Sequence, residues 1–350
     1  MPYYDTFVQV NHNSKSMVMR KYLFLLAFLL PLLASCDDDK SAYMKTVTGK
    51  AGEVIVVLDK ANWDGEVGSA VRDVLAKDYP MLPQREASFT LININKAAFS
   101  DLFKVHRNLL FFNIQDNVAK PGVFVNRDAW AQPQILITVE ATTPDQARQL
   151  VEDNSEVIFN AIDQIEKERI AKASRRYEES SIRSIVSERF GGSPYFPKGY
   201  SIKKVTDNFF WASMETTHNN LGILIYTIPF DGVQFPSMEK VIEEQNKVLQ
   251  ENVPGMFPNT YMTTSTAREP IMTSYKYKGE SFVEIRGLWE VANDFMGGPF
   301  VEHVLYTKEP NKLLVVQGFV YAPRFKKRNY VRQVESIVYS FEWAENFQNK

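Results

Sequence analysis

TPDQARQLVEDNSEVIFNAIDQIEKERIAKASRRYEESSIRSIVSERF, residues 143–190, carries the longest helical signal in the chain, and its reading decides how the rest divides. Thr143 fits an N-cap, Pro144 the first helical position, and Gln146 lies three residues after the cap, so this is a strong helix start. Leu150, Val151, Val157, Ile158, Ala161, Ile162 and Ile165 form one apolar stripe, and no glycine or proline follows until Gly191. A single helix over residues 144–189 would be about 69 Å long, more than a small domain is wide. A hinge is therefore expected, at Ser174 or at the Ser180-Ser181 pair, because serine can bond to the backbone instead of extending the ladder. Glu168 with Lys172 and Glu179 with Arg183 read as i,i+4 pairs on its wet face.

Upstream of this helix, residues 53–58 form a β-branched apolar run that reads as a buried strand. Asp64 looks like the cap of a helix whose stripe runs from Val67 to Leu75 and which Pro80 closes. Further strands are expected at residues 88–94, 109–114 and 135–141, with a short helix near 97–107. Strand and helix alternate, which predicts an α/β sandwich lobe.

Downstream, residues 190–199 are rich in glycine, proline and aromatics and mark a lobe boundary. Strands are expected at residues 200–206, 209–216, 221–228, 261–266, 271–278, 281–291, 300–307 and 312–321. One helix capped by Ser237 interrupts them, and a last helix carries Tyr330, Val331, Val334, Ile337, Val338 and Phe341 on one stripe. The fold class is thus α+β: an N-terminal α/β sandwich lobe (45–190), a long connecting helix, and a mostly antiparallel C-terminal lobe with two helices (191–350). Asp64-Gly65 and Asp231-Gly232 each follow a strand and precede a helix and a proline pair, which leaves an internal duplication open.

At 350 residues, 45% apolar and 23% charged, the chain has globular composition and room for two domains. The formal charge of −2 falls to about −4 once residues 1–35 are removed, which gives no global attraction to nucleic acid. The one cysteine, Cys36, permits no internal disulfide. From Met19 the order is a basic pair (Arg20, Lys21), a mostly apolar run over residues 22–34, then small residues and Cys36, the layout of a signal peptide over residues 1–35. That run is shorter than the roughly 20 residues of a membrane-spanning helix. Residues 1–16 are polar and unpatterned, so translation is expected to start at Met17 or Met19.

Leu33-Ala34-Ser35-Cys36 resembles the bacterial lipobox. The resemblance implies a diacylglyceryl group on Cys36, cleavage before it, and a further acyl chain such as palmitate on the new amino group. Two or more chains give stable anchoring where one does not. Asp37, Asp38 and Asp39 resemble the surface-export signal of Bacteroidota lipoproteins, whereas in enterobacterial sorting an aspartate beside the cysteine favours the inner membrane. The outer membrane, with surface exposure, is the expected location, and residues 36–44 are the expected tether.

The body has no phosphate-binding glycine loop, dinucleotide fingerprint, zinc-protease pair or nucleophile elbow, so no cofactor and no metal are expected. His106, His218 and His303 are isolated, and His303 falls on an apolar strand face, which suits a hydrogen-bonded core histidine. On the strand at 281–291, alternation places Glu284, Arg286 and Glu290 on one face, opposite Val283, Ile285, Trp289 and Val291. These three are the candidate ligand surface, against the plainer reading of a solvent face with cross-strand pairs. Phe209-Phe210-Trp211 and Tyr275 with Tyr277 could stack on sugars but suit a core equally. Arg324, Lys326, Lys327, Arg328 and Arg332 open the last helix, where their sign opposes its dipole, so an anion-binding role is considered beside a solvated face.

Taken whole, the chain resembles an uncharacterised family of Bacteroidota lipoproteins defined only as a domain of unknown function, through the address at residues 33–39 and the two-part body from about Tyr43 to Phe347. The family implies no catalytic residues. The expectation is an envelope lipoprotein anchored through Cys36, a non-enzymatic binding or scaffold protein whose partners are the membrane and an envelope protein or glycan. The alternative is a surface glycan-binding or glycan-hydrolysing lipoprotein using Glu284 and Glu290.

Overall fold

The apolar run at residues 53–58 becomes strand β1 (Glu53–Val57), buried along all but its first residue, in a computed structural model that describes residues 44–277, 280–309 and 311–344. The signal peptide, Cys36 and Asp37 to Asp39 lie outside the described residues. Beside β1 stand β2 (Thr90–Ile94) and β3 (Asn108–Ile114), both parallel to it. Then β5 (Ile135–Ala141) is parallel to β3, and β4 (Gly122–Arg127) closes the edge antiparallel, giving the order β2-β1-β3-β5-β4.

One face of this sheet is covered by α1 (Glu66–Leu75), α2 (Pro144–Asp153) and α3 (Ser155–Arg176). Val54, Val56, Leu110, Ile137 and Val139 pack there against Val71, Leu75, Val151, Ile158 and Ile162. On the other face, among the described residues, Phe99 and Phe103 lie over Ile55, Val57, Leu109 and Leu136, with Trp130 tilted against Phe99 at 6.1 Å. The helix expected at 97–107 is two short turns, Lys96–Ala98 and Asp101–Lys104. Asp64 is not the cap of α1; it ends a five-residue helix, Lys60–Asp64, and Gly65 takes the cap position.

The long helical stretch is three helices, α2, α3 and α4 (Ser180–Phe190). Thr143 caps α2 as expected, accepting from the Gln146 N–H at 3.2 Å. The first break, at Asn154, was not foreseen; there the side-chain amide donates to the Leu150 carbonyl at 2.8 Å. The second falls beside Ser180, where backbone pairing switches partners: Glu179 N–H donates to Phe196 O and Lys198 N–H to Tyr177 O, both at 2.8 Å. Ser174 stays buried inside α3 and is no hinge. Glu168 pairs with Arg127 across the lobe at 2.7 Å, and Arg183 approaches Glu178 at 3.5 Å.

The C-terminal lobe is one antiparallel sheet of β6 (Ser201–Val205), β7 (Phe209–Glu215), β8 (Asn220–Pro229), β9 (Met262–Thr264), β10 (Ile271–Tyr277), β11 (Glu280–Val291), β12 (Gly297–Tyr306) and β13 (Lys312–Tyr321). Its order is β9-β11-β12-β13-β8-β7-β6, with β10 also on β11. Helix α5 (Met238–Asn252) packs on one face and α6 (Arg328–Tyr339) on the other, so the central strands are buried on both sides. That is why β12 and β13 read as near-continuous apolar runs. Gly318 lets α6 lie close: a Cβ there would stand 2.8 Å from Cβ of Val334. A parallel sheet in one lobe and an antiparallel one in the other rule out the duplication. From Thr46 onward the chain is one compact unit, and among the described residues no helix is long and apolar enough to cross a membrane.

Candidate functional site

Strand β11 alternates as expected, but the face that carries Glu284 and Arg286 points into the molecule, beneath α6, and is not a solvent surface. Glu284 is 3% exposed. Arg286 Nε donates to Glu284 at 2.6 Å and its NH2 to Glu335 of α6, while Tyr339 OH donates to the other Glu284 oxygen at 2.8 Å. Glu335 also accepts from Tyr79 OH at 3.0 Å and lies 3.0 Å from Lys167 Nζ, which continues to Asp163 and thence to Arg332 at 3.2 Å. Burial pushes the Glu284 carboxyl up, but His303 and Arg286 together outweigh it and hold it at about 2. Burial likewise raises Glu335, and Arg286 and Lys167 override it downward.

This chain of charges links β11, α6 and α3, and its partners are protein groups. Glu290 lies apart, half-buried and six residues from Glu284, a separation of about 20 Å along a strand. Paired hydrolytic carboxylates stand roughly 5–9.5 Å apart. The structure therefore does not bring Glu284 and Glu290 together across a bond. His303 sits 3.5 Å from Glu284 and stacks on Phe282 at 4.0 Å; burial holds its pKa down, as suits a core histidine. His106 is buried and His218 exposed, and among the described residues no group of three or more metal-ligating side chains forms. Phe209 and Phe210 are fully buried, which makes them core; Tyr275 is 43% exposed and stacks on Phe282 at 6.0 Å.

A second buried centre, unseen in the sequence, is Glu166 on α3. It accepts from Gly52 N–H (3.1 Å), Arg107 Nε (2.9 Å), Asn108 Nδ2 (2.7 Å) and Arg169 NH1 (2.7 Å). Three of these partners sit at the starts of β1 and β3, and Arg169 is on α3 itself, so Glu166 pins α3 to the sheet.

The accessible candidate is on the N-terminal sheet's thinly covered face. Beyond the reach of Phe99 and Phe103, Asn113 of β3, Thr138 and Glu140 of β5, and Phe124 and Asn126 of β4 floor an open depression of about 630 Å³, rimmed by Gln115, Asn117 and Lys120. Strand alternation puts Asn113 on the same face as Leu109 and Phe111, and Thr138 and Glu140 on that of Leu136. Asn113 Nδ2 donates to Glu140 at 2.6 Å and its Oδ1 accepts from Lys96 Nζ at 3.1 Å, so the floor is pre-organised. Amides, one carboxylate, one ammonium and one phenyl ring can hydrogen-bond and stack on a polar ligand. The sequence gives no signal for this site, because its residues come from three strands and a loop that only the sheet brings together.

Comparison with known proteins finds two regions that match family models. Residues 47–175 match the family model DUF8532 and residues 179–340 match DUF4837, each described as a domain of unknown function. No curated protein matches the chain. Among solved structures, it is similar to the human StarD13 (DLC2) lipid transfer and protein localization domain, at 15% identity over 47% of this chain and 95% of that one, TM-score 0.21. Human STARD10 is similar at 6% identity over 49% and 82%, TM-score 0.20. Likenesses this weak carry no argument about function.

The basic cluster resolves at the joint between the two matched regions. Helix α6, in the region 179–340, has no side-chain cap of its own. Glu86, in the region 47–175, supplies one, accepting from Lys327 N–H at 2.6 Å and Arg328 N–H at 3.2 Å. Lys327 Nζ reaches Gln84 at 2.9 Å, Arg328 the Ala87 carbonyl at 2.8 Å, and Arg332 is 1% exposed against Asp163. Three of the five bases are thus spent on the joint, and only Arg324 and Lys326 lie on an exposed surface. The expected solvated or anion-binding face is mostly an internal seam.

Proposed function

We propose that this protein is a cell-envelope lipoprotein, held to the outer membrane by lipid on Cys36, whose body binds a polar ligand on the open face of its N-terminal sheet without transforming it. The location rests on Leu33-Ala34-Ser35-Cys36 at the end of a short apolar run. The binding role is carried by one observation: an accessible sheet face floored by Asn113, Asn126, Thr138 and Glu140, with Glu140 held by the amide of Asn113. The ionisable pairs at Glu284 and Glu166 are engaged in packing and are not offered to a ligand.

Mass spectrometry of the native N-terminus tests the anchor. The expected product begins at a lipid-modified Cys36; an unmodified thiol there would end this reading. If Asp37 to Asp39 direct surface export, protease added to intact cells should digest the wild-type chain, while a variant with all three changed to alanine should be protected.

The amide-rich floor beside Phe124 favours a glycan as the ligand, since hydroxyls suit amide donors and acceptors and sugar rings stack on aromatic faces. Calorimetric titration with envelope oligosaccharides is the check. Asn126→Ala or Glu140→Ala should each weaken binding about tenfold, the equivalent of one hydrogen bond of about 1.4 kcal/mol. Binding that is indifferent to both substitutions would refute the assignment of this face.

A further inference from the structure

Arg328 and Arg332 stand one turn apart on α6, so their side chains share one face of the helix near its positive end. Like charges at this spacing repel, and both are packed into the seam between the lobes: Arg332 is 1% exposed and Arg328 half-buried. The carboxylates around them are committed elsewhere. Glu86 caps the helix backbone, Glu166 is taken up by Gly52 N–H, Arg107, Asn108 and Arg169, and Asp163 is shared between Arg332 and Lys167. Among the described residues, Arg328 forms no ion pair. Its guanidinium meets neutral acceptors: Ala87 O at 2.8 Å, the Asn329 amide oxygen at 3.1 Å and the Thr90 hydroxyl at 3.4 Å. Burial, and then the charge of Arg332, pull its pKa below the ordinary guanidinium value.

Arg332 is the more exacting case. Its Nη2 donates to Asp163 at 3.2 Å, but Nε and Nη1 have no hydrogen-bond partner among the described residues. Its guanidinium carbon lies 4.5 Å from the centre of the Phe89 ring and 5.6 Å from that of Tyr79, so aromatic carbon covers much of the group. Buried donors of this kind are costly to leave unmade. Arg332 Nη1 and Arg328 Nη2 converge on Gly52: a Cβ built there would stand 3.1 Å from the first and 3.0 Å from the second. The φ of Gly52 is +74°, so glycine is required both for the backbone and for the space. The two guanidinium groups thus wall a cradle that the side chain of any other residue at position 52 would fill.

We infer that Arg328 and Arg332 hold a small anion of chloride's size beside the α-carbon of Gly52, inside the seam. Guanidinium N–H groups donate and never accept, so the cradle selects negative charge. Its narrowness, in which a single carbon on Gly52 would already reach both walls, selects a small ion over a phosphate ester or a larger organic acid. Bound there, the ion offsets the repulsion between the two arginines and ties α6 to the loop that leads into β1. It is a structural ligand of the joint, separate from the depression on the N-terminal sheet.

The test uses the full-length protein. Replacing sodium gluconate with sodium chloride at constant ionic strength should raise the melting temperature by about 2–4 °C, the shift expected when a ligand of the folded state reaches about ten times its dissociation constant. Arg328→Gln, which removes one wall at a partly exposed position, should abolish that difference while the circular dichroism spectrum stays unchanged. In crystals grown with bromide, an anomalous difference peak should appear within hydrogen-bonding reach of Arg332 Nε or Nη1. A water at those nitrogens with no anomalous signal overturns the inference. So does a chloride effect that persists in Arg328→Gln, because that is a general effect of the salt. If Arg328→Gln does not fold, the bromide map of the wild-type protein decides on its own.

Discussion

Glu335 and Glu302 are both buried carboxyl groups of the C-terminal lobe, and their surroundings push them in opposite directions. Glu335 is held ionised by Arg286 and Lys167, so Glu335→Ala would leave two buried cations with a lost partner. Such a loss costs about 3–5 kcal/mol and should appear as a lowered urea midpoint. Glu302 faces α5, and burial raises its pKa well above the ordinary carboxylate value, which favours its protonated form in the folded state. With the Gln245 amide turned so that its oxygen accepts from Thr264, its nitrogen donates to Glu302 at 2.8 and 2.9 Å. Stability from Glu302 is full below the unfolded value, about 4.5, and is lost as pH rises through its folded value. Glu284 is depressed to about 2, so its contribution is present above about 4.5 and lost as pH falls toward 2. Urea midpoints measured against pH should therefore rise from pH 2 to 4.5, and Glu302→Gln should stabilise the protein at pH 7 more than at pH 4. The residue types at 284, 286 and 290 and their shared face were legible from strand alternation. Their burial was not, because α6, which covers Glu284 and Arg286, follows almost fifty residues later in the chain and its stripe does not reveal which sheet face it chooses.

Local patterning located nearly every regular segment, since periodicity and caps act within a few residues. The exceptions have local causes that only packing selects. The break at Asn154 depends on α2 and α3 both turning apolar stripes toward one curved sheet, and strand β4 is short, half-exposed and paired only with β5. Helix α6 is the clearest case of an element completed from outside itself. Its first turn holds basic residues where negative charge is favoured, and Glu86, about 240 positions away, supplies both the cap and the counter-charge. Glu86→Ala should cost about 0.5–2 kcal/mol, with hydrogen exchange at residues 328–331 accelerating before the rest of the molecule is affected. Unchanged exchange there would show that the cap is dispensable.

Across the whole molecule, the two matched regions have cores of their own that meet along one packed seam. Tyr79 and Leu82 pack among Phe196, Val331 and Val334, and the pairs from Lys167 to Glu335 and Asp163 to Arg332 cross the same seam. Thermal unfolding should accordingly be a single transition, with calorimetric and van't Hoff enthalpies equal; Tyr79→Ala combined with Glu86→Ala should lower their agreement by uncoupling the lobes. The division into two lobes could be read from residues 143–199, but their docking could not, because it is made of contacts spanning up to 278 positions, such as Asn329 to Ala51. The break between α3 and α4 carries a further consequence. If a protease nicked the backbone at Tyr177 or Glu178, the C-terminal piece would lose Tyr79 and Leu82 from its interior and both pieces would expose halves of the buried ion pairs, so they should remain associated as a heterodimer and, after separation in denaturant, the C-terminal piece should recover its full stability only when mixed with the other.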